Sequence, residues 1–254
     1  LKIQAPDCLT PSPDESLDRL TESWRIFQLR KGHRFSTDDL LTAWMAWRFN
    51  PEATDCLDLG TGIGTVGLLT LHKMRPSARL TAVEVQEISY SLARRTVNLN
   101  ALQNRVELVL GDLRSAKVLS SGRLWDQITG SPPYFPVGTA VISPHPQRAG
   151  ARMELKGDVF DYCAAAARVL AEGGFFTFVH AAGDPRPEQA IQASGLQLRC
   201  RRNVRFRADR SPTIALFVCA WGGDRQDEPD FVIRDKKGAL TAENRSMRVE
   251  MGGP

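Results

Sequence analysis

The sequence predicts an α/β fold: a doubly wound, mostly parallel sheet that ends in a closing antiparallel hairpin. Three observations predict it. From Asp55 onward, short apolar runs alternate with stretches of helical spacing. A glycine-rich loop, Asp58-Leu59-Gly60-Thr61-Gly62-Ile63-Gly64, follows the first run, and two late apolar runs have no helix between them. Strands separated by helices form a largely parallel sheet covered on both faces, and two strands joined without a helix pair as a hairpin.

The elements follow in order. Leu1 to Glu22 is rich in Pro, Ser, Asp and Glu and reads as a loose tail. Thr37 and Asp38 are good caps for a helix carrying the apolar Leu40–Trp47 run. Asp55–Leu59 is a strand entering the glycine loop, and Val66–Met74 continues as a helix. Arg79–Val85 is the second strand. Ile88–Leu99, with Leu92, Ala93, Thr96, Val97 and Leu99 at helical spacing, is the next helix. Val106–Leu110 is the third strand and ends in Gly111-Asp112; Leu113–Leu119 reads as a short helix. Leu124–Gly130 is the fourth strand and runs into Ser131-Pro132-Pro133-Tyr134-Phe135.

After a long loop over Pro136–Ala151, Asp158 caps a helix to Leu170 that ends at Glu172-Gly173-Gly174. Phe175–Ala181 is the fifth strand, Pro187–Ala193 a helix, and Leu196–Phe206 and Thr213–Trp221 the two late strands. Residues 23–222 thus form one domain. Residues 223–254 read as a peripheral extension with one more strand at Phe231–Arg234.

Composition narrows the class. With 254 residues, 42% hydrophobic and 24% charged, the chain can bury one full core. No apolar stretch approaches membrane-spanning length, and the first residues carry no secretory pattern, so no membrane partner is expected. Five cysteines (Cys8, Cys56, Cys163, Cys200, Cys219) are odd in number, widely spaced and free of any CxxC. They read as reduced thiols of a cytoplasmic protein, and the scattered histidines support no metal site.

The net charge of +4 says less than its distribution. Six arginines fall between Arg199 and Arg210. On a strand, Arg199, Arg201, Arg205 and Arg207 share one face by the period of two, with Leu196, Leu198, Cys200, Val204 and Phe206 on the other. The arginine face is either a solvated sheet surface or a contact for a polyanion, which Arg148 and Arg152 would extend.

The turn at Ser131 carries the chemistry. Two prolines remove both backbone N–H groups and fix φ, so the carbonyls of the turn can act as outward acceptors. Tyr134 offers a flat face for a planar ring. Such a turn suits a neutral –NH2 on an aromatic base. The glycine loop also satisfies GxGxxG at Gly62–Gly67, a weak pattern that keeps a nicotinamide cofactor formally open. Three acids favour S-adenosylmethionine: Asp58 before the loop, Glu84 closing strand two for the ribose hydroxyls, and Asp112 closing strand three for the adenine amine. A cofactor with a sulfonium and a free ammonium welcomes acids; a pyrophosphate does not.

With those residues in place, the chain resembles the bacterial adenine-N6 methyltransferases that modify valine tRNA beside its anticodon, within the small-domain methyltransferases. The resemblance rests on Lys31–Trp44, Leu57–Gly64, Val83–Gln86, Gly111-Asp112, Ser131–Phe135 and the ending Val232–Thr241, and covers roughly Phe27 to Thr241. It implies a class I methyltransferase with a Rossmann-like sheet, in which Gly60 and Gly62 close on the methionine moiety, with Asp58 nearby, Glu84 on the ribose and Asp112 on the adenine. It further implies that Arg34, Phe35, Thr37 and Asp38 line the cofactor pocket. The family carries Asn where this chain has Ser131, and serine there also resembles cytosine-N4 DNA methyltransferases.

The expected catalytic residues are Ser131, Pro132, Pro133 and Tyr134. Tyr134 stacks on an extruded base while Ser131 Oγ and the Pro132 carbonyl accept from its amine. Phe135, Arg148, Arg152, Arg201 and Arg205 are the expected substrate contacts, and RNA, above all tRNA, the expected partner. Ribosomal RNA guanine-N2, DNA cytosine-N4 and protein glutamine-N5 methylation remain alternatives, as does a cofactor-binding scaffold subunit. A partner subunit or a homodimer is left open.

Overall fold

A computed structural model describes residues 8–119, 122–139, 141 and 143–252 of the chain. Ten strands and seven helices are present among them. In chain order they are β1 (Glu15–Arg19), β2 (Arg25–Leu29), α1 (Thr37–Phe49), β3 (Asp55–Leu59), α2 (Thr65–Lys73), β4 (Arg79–Glu84), α3 (Glu87–Leu99), β5 (Val106–Leu110) and β6 (Trp125–Gly130). Then follow α4 (Pro146–Arg152), α5 (Val159–Val169), β7 (Leu170–Ala181), α6 (Arg186–Ser194), β8 (Gln197–Arg205), β9 (Ile214–Ala220), β10 (Phe231–Val232) and α7 (Ala242–Glu250).

The eight-stranded sheet has the order β10-β8-β9-β7-β6-β3-β4-β5. Pairings from β7 through β5 are parallel; β9 runs antiparallel to both β7 and β8, giving the expected closing hairpin. The chain winds outward from β3 to β5, then returns to place β6 on the other side of β3. That reversal opens a crevice at the carboxyl ends of β3 and β6, where open α/β sheets bind ligands.

Each face of the sheet is buried under helices. Cys56, Leu80 and Ala82 pack with Leu41 and Met45 of α1, Leu68 and Leu69 of α2, and Leu92 and Val97 of α3. Leu57, Leu59, Val83 and Ile128 pack on the opposite face with Val159 and Cys163 of α5 and Ile191 of α6. Phe178 stacks between Phe176 and Phe217 at centroid distances of 4.9 Å on both sides. Each fully buried aromatic of this kind contributes about 1.5–3 kcal/mol of transfer free energy.

Both chain ends differ from the expectation. Of the expected loose tail, residues 1–7 lie outside the described residues, while the rest is fastened. β1 and β2 form an antiparallel hairpin, and α3 completes its free edge: Thr96 Oγ1 accepts from the Phe27 N–H at 3.1 Å and Asn100 Oδ1 from that of Arg25 at 2.9 Å. The buried Arg95 guanidinium donates to Glu15 at 2.6 Å and to the carbonyls of Cys8 and Thr10, and lies 4.1 Å from the Phe27 ring centre. Pro, Ser and Glu misled because their side chains serve here as turns and as an ion-pair partner.

Nor is the C-terminal segment peripheral. β10 adds a parallel strand beside β8, Met247 and Met251 are fully buried in the main core, and Trp44 Nε1 donates to Glu250 at 2.8 Å. Two smaller expectations also give way. Residues 113–119 form turns rather than a helix, and Glu172-Gly173-Gly174 lies within β7, which starts directly at the end of α5. The loop after the proline turn contains α4; residues 140 and 142 of that loop lie outside the described residues.

Candidate active site

The glycine loop is welded to the sheet by Asp58. This fully buried carboxylate accepts from Thr61 Oγ1 at 2.5 Å, from Thr129 Oγ1 at 2.7 Å and from the Gly67 N–H at 3.0 Å. Thr129 stands opposite Asp58 in the β3–β6 register, so the bond bridges the reversal point itself. Burial pushes the Asp58 carboxyl above its usual range, while the three donors oppose that rise. Gly67 lets α2 approach, since a Cβ there would stand 2.9 Å from Asp58. Gly60 has φ +61°, and a Cβ on it would collide with the hydroxyl of Tyr162.

Glu84, at the end of β4, is 3% exposed. One oxygen accepts from the Gly62 N–H and the other from the Gln86 N–H, both at 2.7 Å. Burial raises its pKa against those bonds. Each oxygen keeps a further lone pair to accept from a hydroxyl.

Two adjoining pockets lie at this end of the sheet. The first is lined by Asp58, Gly60, Gly62 and Glu84, with Gly111, Lys156 and Tyr162 at its sides. The second is lined by Asp38, Ser131, Pro132, Pro133, Tyr134, Phe135 and Arg152. His33, Asp39, Ser131, Pro133 and Ala151 belong to both, so the proline turn stands where they meet. Ser131 Oγ is buried and has no hydrogen-bond partner among the described residues. Tyr134 donates to Asp38 Oδ2 at 3.3 Å, and its ring lies 5.1 Å from that of His180, which backs it.

Helix α4 lines the first pocket with Gly150, both pockets with Ala151 and the second with Arg152. It is keyed in place by the buried Gln147, which accepts from the His33 N–H at 2.6 Å and donates to Ser89 Oγ at 3.2 Å. Behind the turn, Arg186 donates to Asp184 and Glu154, both at 2.6 Å.

The expected site residues divide accordingly. Asp58, Gly60, Gly62 and Glu84 come together in the first pocket, and Ser131, Pro132, Pro133, Tyr134 and Phe135 in the second, joined by Asp38 and Arg152. The remaining cofactor candidates fall elsewhere. Arg34 is drawn to Asp18 at 3.0 Å and to Ser16 at 2.9 Å, Phe35 packs against the core, and Thr37 opens α1. Asp112 is gripped by the Arg114 guanidinium at 2.6–3.1 Å, which holds its carboxyl below the usual range, while its neighbours Gly111 and Leu113 line the pocket.

A free arginine ladder on β8 does not form. Arg201 pairs with Glu188, Arg205 with Asp230, Arg207 with Asp209, and Arg199 donates to the carbonyls of Gly222 and Asp224. Arg202 turns inward to Glu228 and Glu243. A register shift between Leu198 and Cys200 also puts Arg199 out of step with Arg201 and Arg205. Arg148 and Arg152 stand exposed on α4, with the Arg152 guanidinium 5.4 Å from the Phe135 ring centre.

The pocket residues that sequence reasoning did not single out include His33, Asp39, Gly150, Lys156, Gly157 and Tyr162. Of these, His33 and Asp39 lie within the matching stretch Lys31–Trp44, each one residue outside the Arg34–Asp38 group that was picked from it. Among the described residues no group of three or more His, Cys, Asp or Glu is placed to hold a metal, and no helix is long and apolar enough to cross a membrane.

The fold and the paired pockets define a class I methyltransferase. Two buried acids, Asp58 and Glu84, and the glycine loop line one pocket that fits S-adenosylmethionine, the methyl donor of this class. The chain belongs to the methyltransferase small domain family, which matches residues 35–194.

It is 28% identical over 211 residues to the tRNA1(Val) (adenine(37)-N6)-methyltransferase of Shewanella amazonensis, spanning 83% of this chain and 88% of that one. The protein of the same name from Phocaeicola vulgatus is 28% identical over 224 residues, 88% of this chain and 90% of its own. In fold it is similar to a predicted O-methyltransferase from Agrobacterium tumefaciens, with a TM-score of 0.60 at 17% identity over 85% of this chain and 98% of that chain. It is also similar to aTrm5 from its complex with tRNALeu, with a TM-score of 0.54 at 12% identity over 81% and 52%.

Proposed function

We propose that this enzyme methylates the exocyclic N6 amine of adenine 37, beside the anticodon, in a cytoplasmic tRNA. The observation that carries the reading is the buried, unpartnered Ser131 Oγ at the junction of the two pockets. An orphaned hydroxyl costs free energy unless a ligand completes it, and an aromatic –NH2 offers the missing donor. S-adenosylmethionine supplies an electrophilic methyl group when bound.

The chain's own residues position the acceptor nitrogen. Tyr134 and Phe135 wall the base pocket, and Ser131 Oγ, with the Pro132 carbonyl, accepts from the amine so that its lone pair faces the cofactor side. Amine attack needs no prior deprotonation, and orientation of this kind is worth several kcal/mol, up to about 7–11 in favourable cases. The base must leave any stack to enter, which suits an anticodon loop. Arg148 and Arg152 on α4 flank the pocket as phosphate contacts.

The test is transfer of labelled methyl from S-adenosylmethionine to separate tRNA, ribosomal RNA, DNA and protein fractions, with nucleoside analysis. N6-methyladenosine in tRNA supports the reading. N4-methylcytosine in DNA would follow the serine at the turn instead and overturn it. No label in any fraction with cofactor bound would make the chain a scaffold subunit.

A further inference from the structure

Five residues border both pockets, so the transferred group must pass among them. Of these, His33, Asp39 and Ser131 carry side chains able to accept a hydrogen bond. Ser131 has been described. Burial disfavours protonation of the His33 imidazole, and Arg152 and Arg148 add repulsion.

Asp39 is placed differently. It occupies the third position of α1, where its Oδ2 accepts from the Ser36 N–H at 2.8 Å; this is the one hydrogen bond its carboxylate makes among the described residues. The cap fixes the carboxylate through Oδ2 and leaves Oδ1 without a hydrogen bond among the described residues, on a side chain that lines both pockets. It feels the charge of Asp58, under the cofactor loop, and its own charge is felt at the Tyr134 hydroxyl, on the base side. The charged and titratable groups facing it are therefore Asp38 on its own helix, Asp58 from β3, Tyr134 from the turn, His33 from the preceding loop and Arg152 from α4.

We propose that Asp39 is a further catalytic residue, whose Oδ1 takes the proton that the target amine gives up. The proposal rests on the amine-methylation reading above. The nitrogen lone pair forms the new N–C bond as the S–C bond breaks and its electron pair stays with sulfur. As positive charge builds on the nitrogen in that same step, one of its protons passes to the Asp39 carboxylate, leaving a neutral methylated amine, and Asp39 later returns the proton to water. Burial, with repulsion from Asp38 and Asp58, pushes the Asp39 carboxyl up to about 7, which suits a group that takes up and releases a proton near neutrality.

The experiment is single-turnover methyl transfer at saturating cofactor between about pH 5 and 9, on whichever fraction the wild type labels. An error about the target RNA then shows in the wild type and leaves the Asp39 result intact. The wild-type rate should fall on the acidic side with a midpoint near 7. Asp39→Asn keeps the cap, because its amide carbonyl also accepts from the Ser36 N–H, yet it should run about tenfold slower or worse and lack the acidic limb. Asp39→Glu should restore part of the limb. Cofactor affinity measured by calorimetry should hold within about twofold in both variants. An unchanged pH profile in Asp39→Asn overturns the proposal. So does a normal saturated rate with weakened cofactor binding, which would assign the carboxylate to the cofactor's ammonium.

Discussion

The Arg186 guanidinium donates to the Glu154 carboxylate at 2.6 Å, tying the start of α6 to the segment that follows α4. The same group holds Asp184 at 2.6 Å and reaches to 3.5 Å from the carbonyl of Tyr134. These contacts brace the proline turn from behind. Arg186→Met should therefore lower the single-turnover rate by about tenfold while leaving cofactor affinity unchanged, because it loosens the base side alone. Equal loss of both in paired kinetic and calorimetric measurements would mean that the network supports the whole fold instead.

Ser131→Ala removes the acceptor at the pocket junction without disturbing any hydrogen bond within the protein. The expected cost is about 2 kcal/mol of transition-state binding, roughly 30-fold in kcat/KM. Thermal stability should hold or rise slightly, since an unsatisfied buried hydroxyl is removed. A variant as fast as the wild type in the methyl-transfer assay would disconnect this hydroxyl from the amine.

Charge on α4 and charge on β8 separate cleanly in a salt titration of RNA binding. The double variant Arg148→Ala with Arg152→Ala should flatten the slope of log K against log[salt] by about 1.4–1.8, the loss of two phosphate contacts. Arg201→Ala with Arg205→Ala should leave the slope nearly unchanged, because those guanidinium groups already answer Glu188 and Asp230. The reverse pattern would return the RNA to the β8 face.

Arg95→Met breaks a pair whose side chains are 1% and 7% exposed and strands the Glu15 carboxylate. Breaking a buried pair of this kind costs about 3–5 kcal/mol. A fall of about 10 °C in Tm follows for a chain of this size. A shift under about 2 °C would mean the hairpin contributes little to global stability.

Asp39 also makes stability depend on pH. Its folded-state pKa of about 7 lies above the unfolded value, so its contribution is fully present below the unfolded pKa and is lost as pH rises through 7. Asp39→Asn removes that loss. The difference in Tm between variant and wild type should therefore grow in favour of the variant from about pH 4 to about pH 8. A constant difference across that range would contradict the raised value.

The central sheet was legible because its strands are apolar runs closed by punctuating residues: Asp58 and the glycines that follow β3, Glu84 as the last residue of β4, Ser131 and two prolines after β6. Each of these acids stands at or one residue before its strand's end, where position along the chain and position in space coincide. Asp112 shows where that logic stops, since Arg114, two residues on, reaches back to neutralise it. The ladder on β8 failed for a related reason: periodicity fixes a face, whereas the acids that occupy it arrive from α6 and from residues 224–230, far along the chain. Both chain ends were misread because their composition is polar while their anchors, Arg95 and the core beneath Met247, belong to distant elements. Tyr162 carried no local signal at all; its place beneath Gly60 follows only from the packing of α5 on the sheet.

One short helix now links two equilibria. Gly150 and Ala151 line the first pocket on the same turns of α4 that leave Arg148 and Arg152 exposed, where the proposed function sets the polynucleotide. Any preference of one ligand for a seated or an unseated α4 must then be felt by the other, and reciprocity makes the two factors equal. A tRNA that tightens the grip on the methyl donor will be gripped more tightly in its presence by the same ratio, and donor spent to product will loosen the RNA only to the extent that α4 registers the missing methyl.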